Sequence, residues 1–351
     1  MKIITKCLDY FKKIDIDFDL YIIADTQYKT AKSDEYISHA DESEFFSRKE
    51  FAEIASALFY VFGFAKVFYS EVEFIEYIIK NKPLPNECYV YNFSRDGIQE
   101  CKKSLIPAFC DLCNLHYTGS NAFTISLLRN KWMFSQIVKN YNVLTPRSFI
   151  YPNDLFDIET IFLNQDILVK NIFESASQGL SSNNRIHADG KIIDKINATL
   201  TQMKTNNVLI QQYIDGPECE VLVLQFEKKY YALEPIELLI NGADFLDSNI
   251  SNAYAYSFRK LSDSCDKETV QRVKEAAVKA ASALNIKDYA RFDFRIKEKQ
   301  PYLIDIAGTP YTIQHSSIAY LFQDVFKLHY NDIYKVIMAC CISNYNYDTR
   351  D

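Results

Sequence analysis

The first third of the chain alternates short apolar runs with helical patterns. The apolar runs lie at Leu20–Ala24, Val67–Tyr69 and Cys88–Asn92. Ser47–Glu50, between the first two, has the form of a capping box that opens a helix, and apolar residues recur at helical spacing over Phe74–Ile79. Strands that alternate with helices pair in parallel, because each helix carries the chain back across one face of the sheet. The sequence therefore predicts an α/β fold with a parallel sheet in this part of the chain.

The remainder of the chain predicts an α+β arrangement with antiparallel strands. A turn at Thr118–Asn121 opens a helix that we expect to continue to about Asn140. The strand candidates Glu220–Leu224 and Tyr230–Leu233 are so close in sequence that a hairpin is favoured. Apolar residues recur at helical spacing over Lys267–Leu284, which predicts a long helix packed on these strands.

Length and composition indicate a folded protein of several units. The 351 residues include only 8 glycines and 9 prolines, which excludes a collagen-like or low-complexity chain. Hydrophobic residues make up 48% of the chain, enough for a large core. We predict three units, with boundaries at 1–120, 121–210 and 211–351.

Charge and cysteine usage narrow the function classes. The 39 Lys and Arg residues against 46 Asp and Glu residues give a net charge of −7, so neither nucleic acid nor a membrane surface is expected as a partner. The N-terminus has no apolar stretch of signal-peptide length, and no run is long enough to span a bilayer. Nine unevenly spaced cysteines favour a reducing compartment, so we predict a cytoplasmic protein. Cys110 and Cys113 are expected to pack on one helix face rather than to bind zinc.

A second hairpin carries charged side chains on one face. Over Ala290–Ile296, apolar and charged residues alternate, so Arg291 and Asp293 share a face, and Asp305 lies on the partner strand. Two neighbouring carboxylates are costly without a cation between them, and Mg²⁺ held by these carboxylates and by substrate phosphates would meet that need. Periodicity alone favours the other interpretation, a solvated face with a surface ion pair.

A candidate phosphate site follows a buried strand. Lys170 ends the strand, and the loop Glu174–Gly179 has small and hydroxyl residues whose N–H and O–H groups can turn toward an anion. Lys131, early in a helix, could bring a second ammonium group, although a single helix lysine is usually solvated.

The order of these pieces resembles the ATP-grasp superfamily, and within it the D-alanine:D-alanine ligase group. The resemblance depends on Lys131, on Lys170 with its loop, on the segment Val208–Val221 and on the hairpin that leads to Thr309–Pro310. It covers roughly 117–322 and more loosely the first third. It implies an ATP-grasp fold preceded by a parallel α/β domain, with ATP and Mg²⁺ as cofactors.

The resemblance also implies residue roles. The residues implied to bind ATP are Lys131 and Lys170 at the phosphates, Glu174 and Ser177 in the loop that covers them, Gln211, Gln212, Tyr213 and Ile214 at the adenine, and Glu218 at the ribose. The residues implied at the reaction centre are Asp293 and Asp305 as Mg²⁺ ligands, Arg291 at the acyl centre and Ser316 at the carboxylate of an amino acid substrate. A homodimer and a carrier-protein acceptor are further possibilities that the resemblance leaves open.

Three hypotheses for function follow. The first is a ligase that forms an acylphosphate from ATP and an amino acid or small carboxylate and passes the acyl group to an amine or thiol. The second is a D-alanine:D-alanine ligase proper, in which Glu42 or Glu44 would grip the first D-alanine. The third is a catalytically weakened nucleotide-binding regulator or partner-binding protein, because Ala307 stands where the group carries a metal-binding asparagine.

Overall fold

The computed structural model describes residues 1–27, 44–84, 86–152, 158–173, 180–240, 242 and 244–348. Three β-sheets organise this part of the chain. The first is parallel, and the other two are antiparallel. The predicted combination of a parallel α/β unit with antiparallel α+β units is confirmed.

The first sheet has the strand order β2-β1-β3-β4. Its strands are β1 (Asp19–Ala24), β2 (Lys66–Phe68), β3 (Cys88–Phe93) and β4 (His116–Tyr117), and the helices of this region are α1 (Lys2–Phe11), α2 (Arg48–Phe62), α3 (Glu71–Asn81) and α4 (Leu105–Cys113). The predicted capping box is present: the Ser47 hydroxyl accepts the Glu50 N–H, and the Glu50 carboxylate accepts the Ser47 N–H. Cys110 is buried and Cys113 packs beside the same cluster, as predicted.

The second sheet has the order β5-β8-β6-β7. Helices α5 (Ala122–Arg129) and α6 (Lys131–Lys139) lead to its elements, which are β5 (Ser148–Tyr151), α7 (Ile158–Phe162), β6 (Asp166–Lys170), β7 (Arg185–His187), α8 (Ile192–Met203) and β8 (Val208–Gln212). The third sheet has the order β12-β11-β9-β13-β14, with β10 also paired to β9. Its elements are β9 (Glu218–Phe226), β10 (Lys229–Ala232), β11 (Ile236–Ile240), α9 (Ser248–Asn252), β12 (Tyr256–Lys260), α10 (Lys267–Ala283), β13 (Tyr289–Lys297) and β14 (Gln300–Ala307).

The two ends of the chain share one hydrophobic core. Beyond β14, helix α11 (Ser317–Tyr320) runs into a π-helical turn at Leu321–Val325, and α12 (Asp332–Asp348) closes the described chain. Residues of α12 such as Ile337 and Cys340 are buried in one cluster with residues of α1, α2 and β9. No helix in the described ranges is both long and apolar enough to cross a bilayer.

The predicted single helix from the turn at Asn121 to Asn140 is wrong: Asn130 divides it. Asn130 has φ −92° and ψ 96°, outside the helical region, and its side chain accepts the N–H of Met133, so it caps the second helix. Asparagine competes for backbone N–H groups in this way, and helical periodicity does not detect it. The break puts Lys131 at the first position of α6.

Gly216 lies where the chain passes between the second and third sheets. Its φ is +144°, and a Cβ at this position would lie 1.9 Å from the carbonyl oxygen of Ile296 on β13. We expect Gly216→Ala to lower the free energy of unfolding by about 3 kcal/mol or more, because the backbone must separate here. Gly190→Ala is the matched control: its Cβ meets nothing within 4 Å, and the expected change is within about 0.5 kcal/mol. Equal denaturant midpoints for the two variants would contradict the prediction.

Candidate active site

Two adjoining cavities lie along the third sheet: the smaller is also lined by the second sheet, and the larger by residues of the first 120 positions. The smaller measures about 120 Å³ and the larger about 460 Å³. Four residues line both cavities: Glu220, Leu246, Arg291 and Asp305. The two spaces therefore meet at the charged face of the β13–β14 hairpin.

Two lysines line one side of the smaller cavity. Lys170 lies at the end of β6, and Lys131 begins α6, where its N–H donates to the carbonyl of Ile172. The ammonium of Lys131 is 3.8 Å from the carboxylate of Asp305. Burial lowers the pKa of Lys170 to about 8; the charge of Asp305 opposes this shift and that of Lys131 adds to it. The structure thus brings the two predicted phosphate lysines together, and Glu174 and Ser177 lie outside the described residues.

The strand β8 and the residues after it, which the resemblance implies at the adenine, form another wall of the smaller cavity. The lining residues here are Gln211, Gln212, Tyr213 and Ile214. The N–H groups of Gln212 and Tyr213 donate to the carbonyls of Arg147 and Asp166. Those two amides are therefore used in contacts with neighbouring backbone and are not available to a ligand.

Arg295 is a residue of this site that sequence reasoning left without a role. Its guanidinium donates to the carboxylate of Glu218 (3.0 Å), the hydroxyl of Tyr213 (2.7 Å) and the carbonyl of Ile214 (3.1 Å). It is buried. Arg295 thus ties the start of β9 to the segment after β8, and it orients the Glu218 carboxylate. The sequence does contain a signal for this role: Arg295 lies two residues after Asp293 and therefore on the same charged face of β13.

Three carboxylates lie side by side across β9, β13 and β14. Asp293 is opposite Asp305 on one side and opposite Glu220 on the other. Arg291 makes two hydrogen bonds to Asp293, of 2.8 and 2.7 Å, and lies 3.3 Å from Glu220. Asp293 is only 6% exposed, so the solvated surface pair that periodicity favoured is wrong. The reason is tertiary: residues of the second sheet, together with Lys131, lie around Asp293 in the smaller cavity.

These carboxylates fit a hard divalent cation. Burial raises the pKa of Asp293 to about 7; Glu220 and Asp305 add to the shift and Arg291 opposes it. An added cation would relieve this repulsion, and a carboxylate bonded to arginine keeps lone pairs for a metal. No group of three or more His, Cys, Asp or Glu side chains arranged to hold a metal occurs within the described residues. The arrangement suits Mg²⁺, which is commonly held by one or two carboxylates together with substrate phosphates.

The larger cavity contains the predicted acyl-side residue Ser316. The Ser316 hydroxyl donates to the carbonyl of Ile313 (2.6 Å) and accepts the N–H of Ala319 (3.1 Å), so it caps α11. Aromatic rings of Tyr254 and Tyr256 line the same space. Ala307, which lies opposite Arg291 across the hairpin, also lines it and offers no side-chain oxygen.

Glu44, from the N-terminal part of the chain, lines the larger cavity, and three cations surround its carboxylate. Its carboxylate is 2.7 Å from Lys102, 3.1 Å from Lys103 and 3.8 Å from Arg129. These charges hold the pKa of Glu44 far below its usual range despite the opposing effect of burial, which is the largest single contribution. Glu42, the other sequence candidate for gripping an amino group, lies outside the described residues.

A comparison with known protein families shows to which family this chain belongs. The family model described as "D-ala D-ala ligase C-terminus" matches residues 137–338, more than half of the chain. The chain belongs to this family. The match begins in α6 and ends in α12, so it includes Lys170, Asp293 and Asp305.

Curated members of the D-alanine–D-alanine ligase family are similar over part of their length. The D-alanine–D-alanine ligase of Hydrogenovibrio crunogenus is 27% identical over 221 residues, which are 61% of this chain and 66% of the relative. That of Flavobacterium johnsoniae is 24% identical over 213 residues, 59% of this chain and 62% of the relative. The matched region thus spans slightly less than two thirds of each of these relatives.

Solved structures of the family show the same fold. The D-alanine–D-alanine ligase of Bacillus anthracis complexed with ATP superposes with a TM-score of 0.66 at 14% identity, covering 95% of this chain and all of that chain. The VanG D-Ala:D-Ser ligase of Enterococcus faecalis superposes with a TM-score of 0.63 at 13% identity, covering 94% and 99%. The predicted ATP-grasp fold is confirmed.

Proposed function

We propose that this chain is an ATP-dependent ligase that activates an amino acid or small carboxylate as an acylphosphate and transfers the acyl group to an amine or thiol, releasing ADP and phosphate. The observation that carries the proposal is the junction of the two cavities. The smaller cavity has the cationic and carboxylate groups that suit a triphosphate, the larger can hold a small organic substrate, and Arg291 and Asp305 line both. A phosphoryl group can therefore pass from one cavity to the other at this point.

The charges of the smaller cavity support transfer of the γ-phosphoryl group. Lys131 and Lys170 would attract the phosphate oxygens, and Asp293 with Asp305 would hold Mg²⁺. When bound, that ion neutralises charge on the phosphates. Phosphoryl transfer depends mainly on such positioning and charge neutralisation, so two lysines and a carboxylate pair at one end of the cavity are suitable machinery.

Arg291 is placed to serve both half-reactions. A substrate carboxylate oxygen attacks the γ-phosphorus and ADP leaves. The amine or thiol then adds to the acyl carbon, the C–O bond to phosphate breaks, and the nucleophile loses one proton to phosphate or to solvent. Negative charge develops on the acyl oxygen in the second step, and a fixed guanidinium beside it lowers that barrier. Asp293 and Glu220 hold the guanidinium of Arg291 in place at 2.7 and 3.3 Å.

Carboxylate-dependent ADP release tests the proposal. The full chain is incubated with ATP and Mg²⁺ against a panel of amino acids and small carboxylates, with hydroxylamine as the nucleophile. We expect ADP release to rise with at least one carboxylate, together with formation of its hydroxamate, because hydroxylamine traps the acylphosphate. Binding of ATP without ADP release across the panel would favour the regulatory alternative. Turnover with D-alanine alone would identify a D-alanine:D-alanine ligase.

The affinity for nucleotide is expected to weaken as the pH rises through about 8, the lowered pKa of Lys170. Only the protonated ammonium attracts a phosphate, so above this pH the empty site must take up a proton on binding. Affinity then falls by up to about tenfold per pH unit between roughly pH 8 and the higher pKa of the bound state. Titration with a nonhydrolysable ATP analogue measures the effect. Lys170→Arg stays charged and should give a flatter profile; equal slopes for both proteins would contradict the assignment.

A further inference from the structure

Arg95 is a buried cation that lines the larger cavity. It follows β3 and is 2% exposed. Its guanidinium lies between two aromatic rings, with the central carbon 4.8 Å from the ring centre of Phe46 and 4.3 Å from that of Tyr311. Aromatic faces stabilise and orient a guanidinium without neutralising it. The position of the group is therefore fixed, and its charge remains available.

The guanidinium of Arg95 has unused donors. Its Nε and one terminal nitrogen are buried and have no hydrogen-bond partner. The nearby carboxylate of Asp25 accepts the backbone N–H groups of Arg95 and Asp96 instead. Burial also raises the pKa of Asp25 to about 7 and that of Glu71 well above its ordinary value. These two carboxyl groups therefore carry less negative charge that could neutralise Arg95. A buried, unpaired arginine donor is costly unless a ligand completes it.

Three basic side chains lie together around Arg95 in the larger cavity. The arginines keep their charge, whereas burial lowers the pKa of Lys103 to about 7 and Glu44 opposes that shift. Lys103 and Arg129 line the cavity together with Arg95, and Glu44 is the carboxylate that they surround. The Glu44 carboxylate lies 2.7 Å from the ammonium of Lys102 and 3.1 Å from that of Lys103, so cations already balance its charge before a substrate binds. This part of the site therefore favours an anion over an amino group.

We propose that the end of the larger cavity formed by Arg95, Lys103 and Arg129 binds a second anionic group of the substrate. The substrate class is then a small carboxylate that carries a further carboxylate or a phosphate. Arg291, which lines the same cavity where it joins the smaller one, receives the carboxylate that reacts. The cavity volume of about 460 Å³ lies within the range of about 300–1,000 Å³ that is usual for small-molecule sites. This inference rests on the proposed ligase function and narrows its substrate.

Matched acidic and neutral substrates test the inference. ADP release is measured for the full chain with glutamate and glutamine, aspartate and asparagine, and O-phosphoserine and serine, each as the D and the L isomer, with D-alanine and simple monocarboxylates beside them. We expect the acidic member of at least one pair to have a kcat/KM at least tenfold above its neutral partner. Preference in the first two pairs identifies a carboxylate as the second anion, and preference in the third identifies a phosphate.

Variants of Arg95 test whether this residue causes the preference for acidic substrates. Arg95→Met should reduce the ratio of acidic to neutral kcat/KM to about one, and Arg95→Lys should restore part of it, because lysine keeps the charge without the planar donors. Arg259→Met is the matched control: Arg259 pairs with Glu237 and does not line either cavity, so the ratio should not change. The substrate preference is measured first on the wild-type chain, so that result stands even if an Arg95 variant fails to fold.

The outcomes separate this inference from the function on which it rests. Equal or higher turnover of the neutral members overturns the inference, and so does turnover confined to D-alanine or other monocarboxylates; in both cases the ligase proposal stands. An acidic preference that persists in folded Arg95→Met also overturns the assigned subsite. If no carboxylate in the panel stimulates ADP release, the proposed function fails, and the inference fails with it.

Discussion

Replacement of Lys170 by methionine is expected to reduce carboxylate-dependent ADP formation by about 10³-fold. The variant keeps the length of the side chain and removes the ammonium that lines the smaller cavity beside Lys131. Without it, charge on the transferred phosphoryl group and on the leaving ADP loses a fixed cation. The measurement is the ADP release rate at saturating ATP and carboxylate.

The stability of this variant separates a local effect from a folding defect. Burial lowers the pKa of Lys170, which means that the folded site disfavours the charged ammonium and that its removal should not lower the melting temperature. Lys195→Met is the control, because Lys195 pairs with Asp189 at the surface, with 41% of its side chain exposed. Wild-type turnover by Lys170→Met, or an equal loss in the control, would show that the phosphate site has been placed wrongly.

Replacement of Asp293 by asparagine is expected to reduce ADP formation by about 10²- to 10³-fold and to increase the Mg²⁺ concentration needed for half-maximal activity. Asparagine has nearly the same shape, but its neutral amide is a weaker ligand for Mg²⁺ and accepts through one oxygen only. The variant also loses one of the two hydrogen bonds from Arg291. The measurement is a Mg²⁺ titration of the initial rate.

Asp263→Asn is the control for the carboxylate pair. Asp263 pairs with Lys260 at the surface, and 47% of its side chain is exposed, so neither the rate nor the Mg²⁺ dependence should change. Thermal unfolding without Mg²⁺ gives a second readout: loss of one charge from the row of Asp293, Asp305 and Glu220 should leave the melting temperature unchanged or higher. An unaltered Mg²⁺ titration in Asp293→Asn would exclude Asp293 as a ligand.

Local patterns in the sequence predicted the secondary structure where one short-range rule applied. The capping box at Ser47, the hairpin of β13 and β14, and the helix α10 depend on spacing within a few residues, and all are present. The break at Asn130 was missed because a capping asparagine in the middle of a helical pattern leaves the periodicity almost intact.

The reactive groups were recognised from the sequence only in part. Asp293 and Asp305 could be placed on the two strands of one hairpin, but the regular register from Lys297 and Gln300 would put Ile304 opposite Asp293. A register shift between Asp293 and Phe294 brings Asp305 there instead, and local alternation does not predict it. Glu220 also faces Asp293, but it comes from a strand about 70 residues earlier in the chain, and no local pattern connects the two. The same holds for Arg295, whose partners lie between 213 and 218 and at Asp244.

The sequence by itself determined the alternation of strands and helices, the family resemblance and the candidate groups on each strand, since these depend on residue type and spacing. Only the tertiary structure decided which charges are buried and which are paired. It covered the face of Asp293 that periodicity would leave in water, and it surrounded Glu44 with cations from α5 and from the loop before α4. Burial and pairing depend on residues distant in the chain, and the charge of a site in a folded protein is set by those contacts.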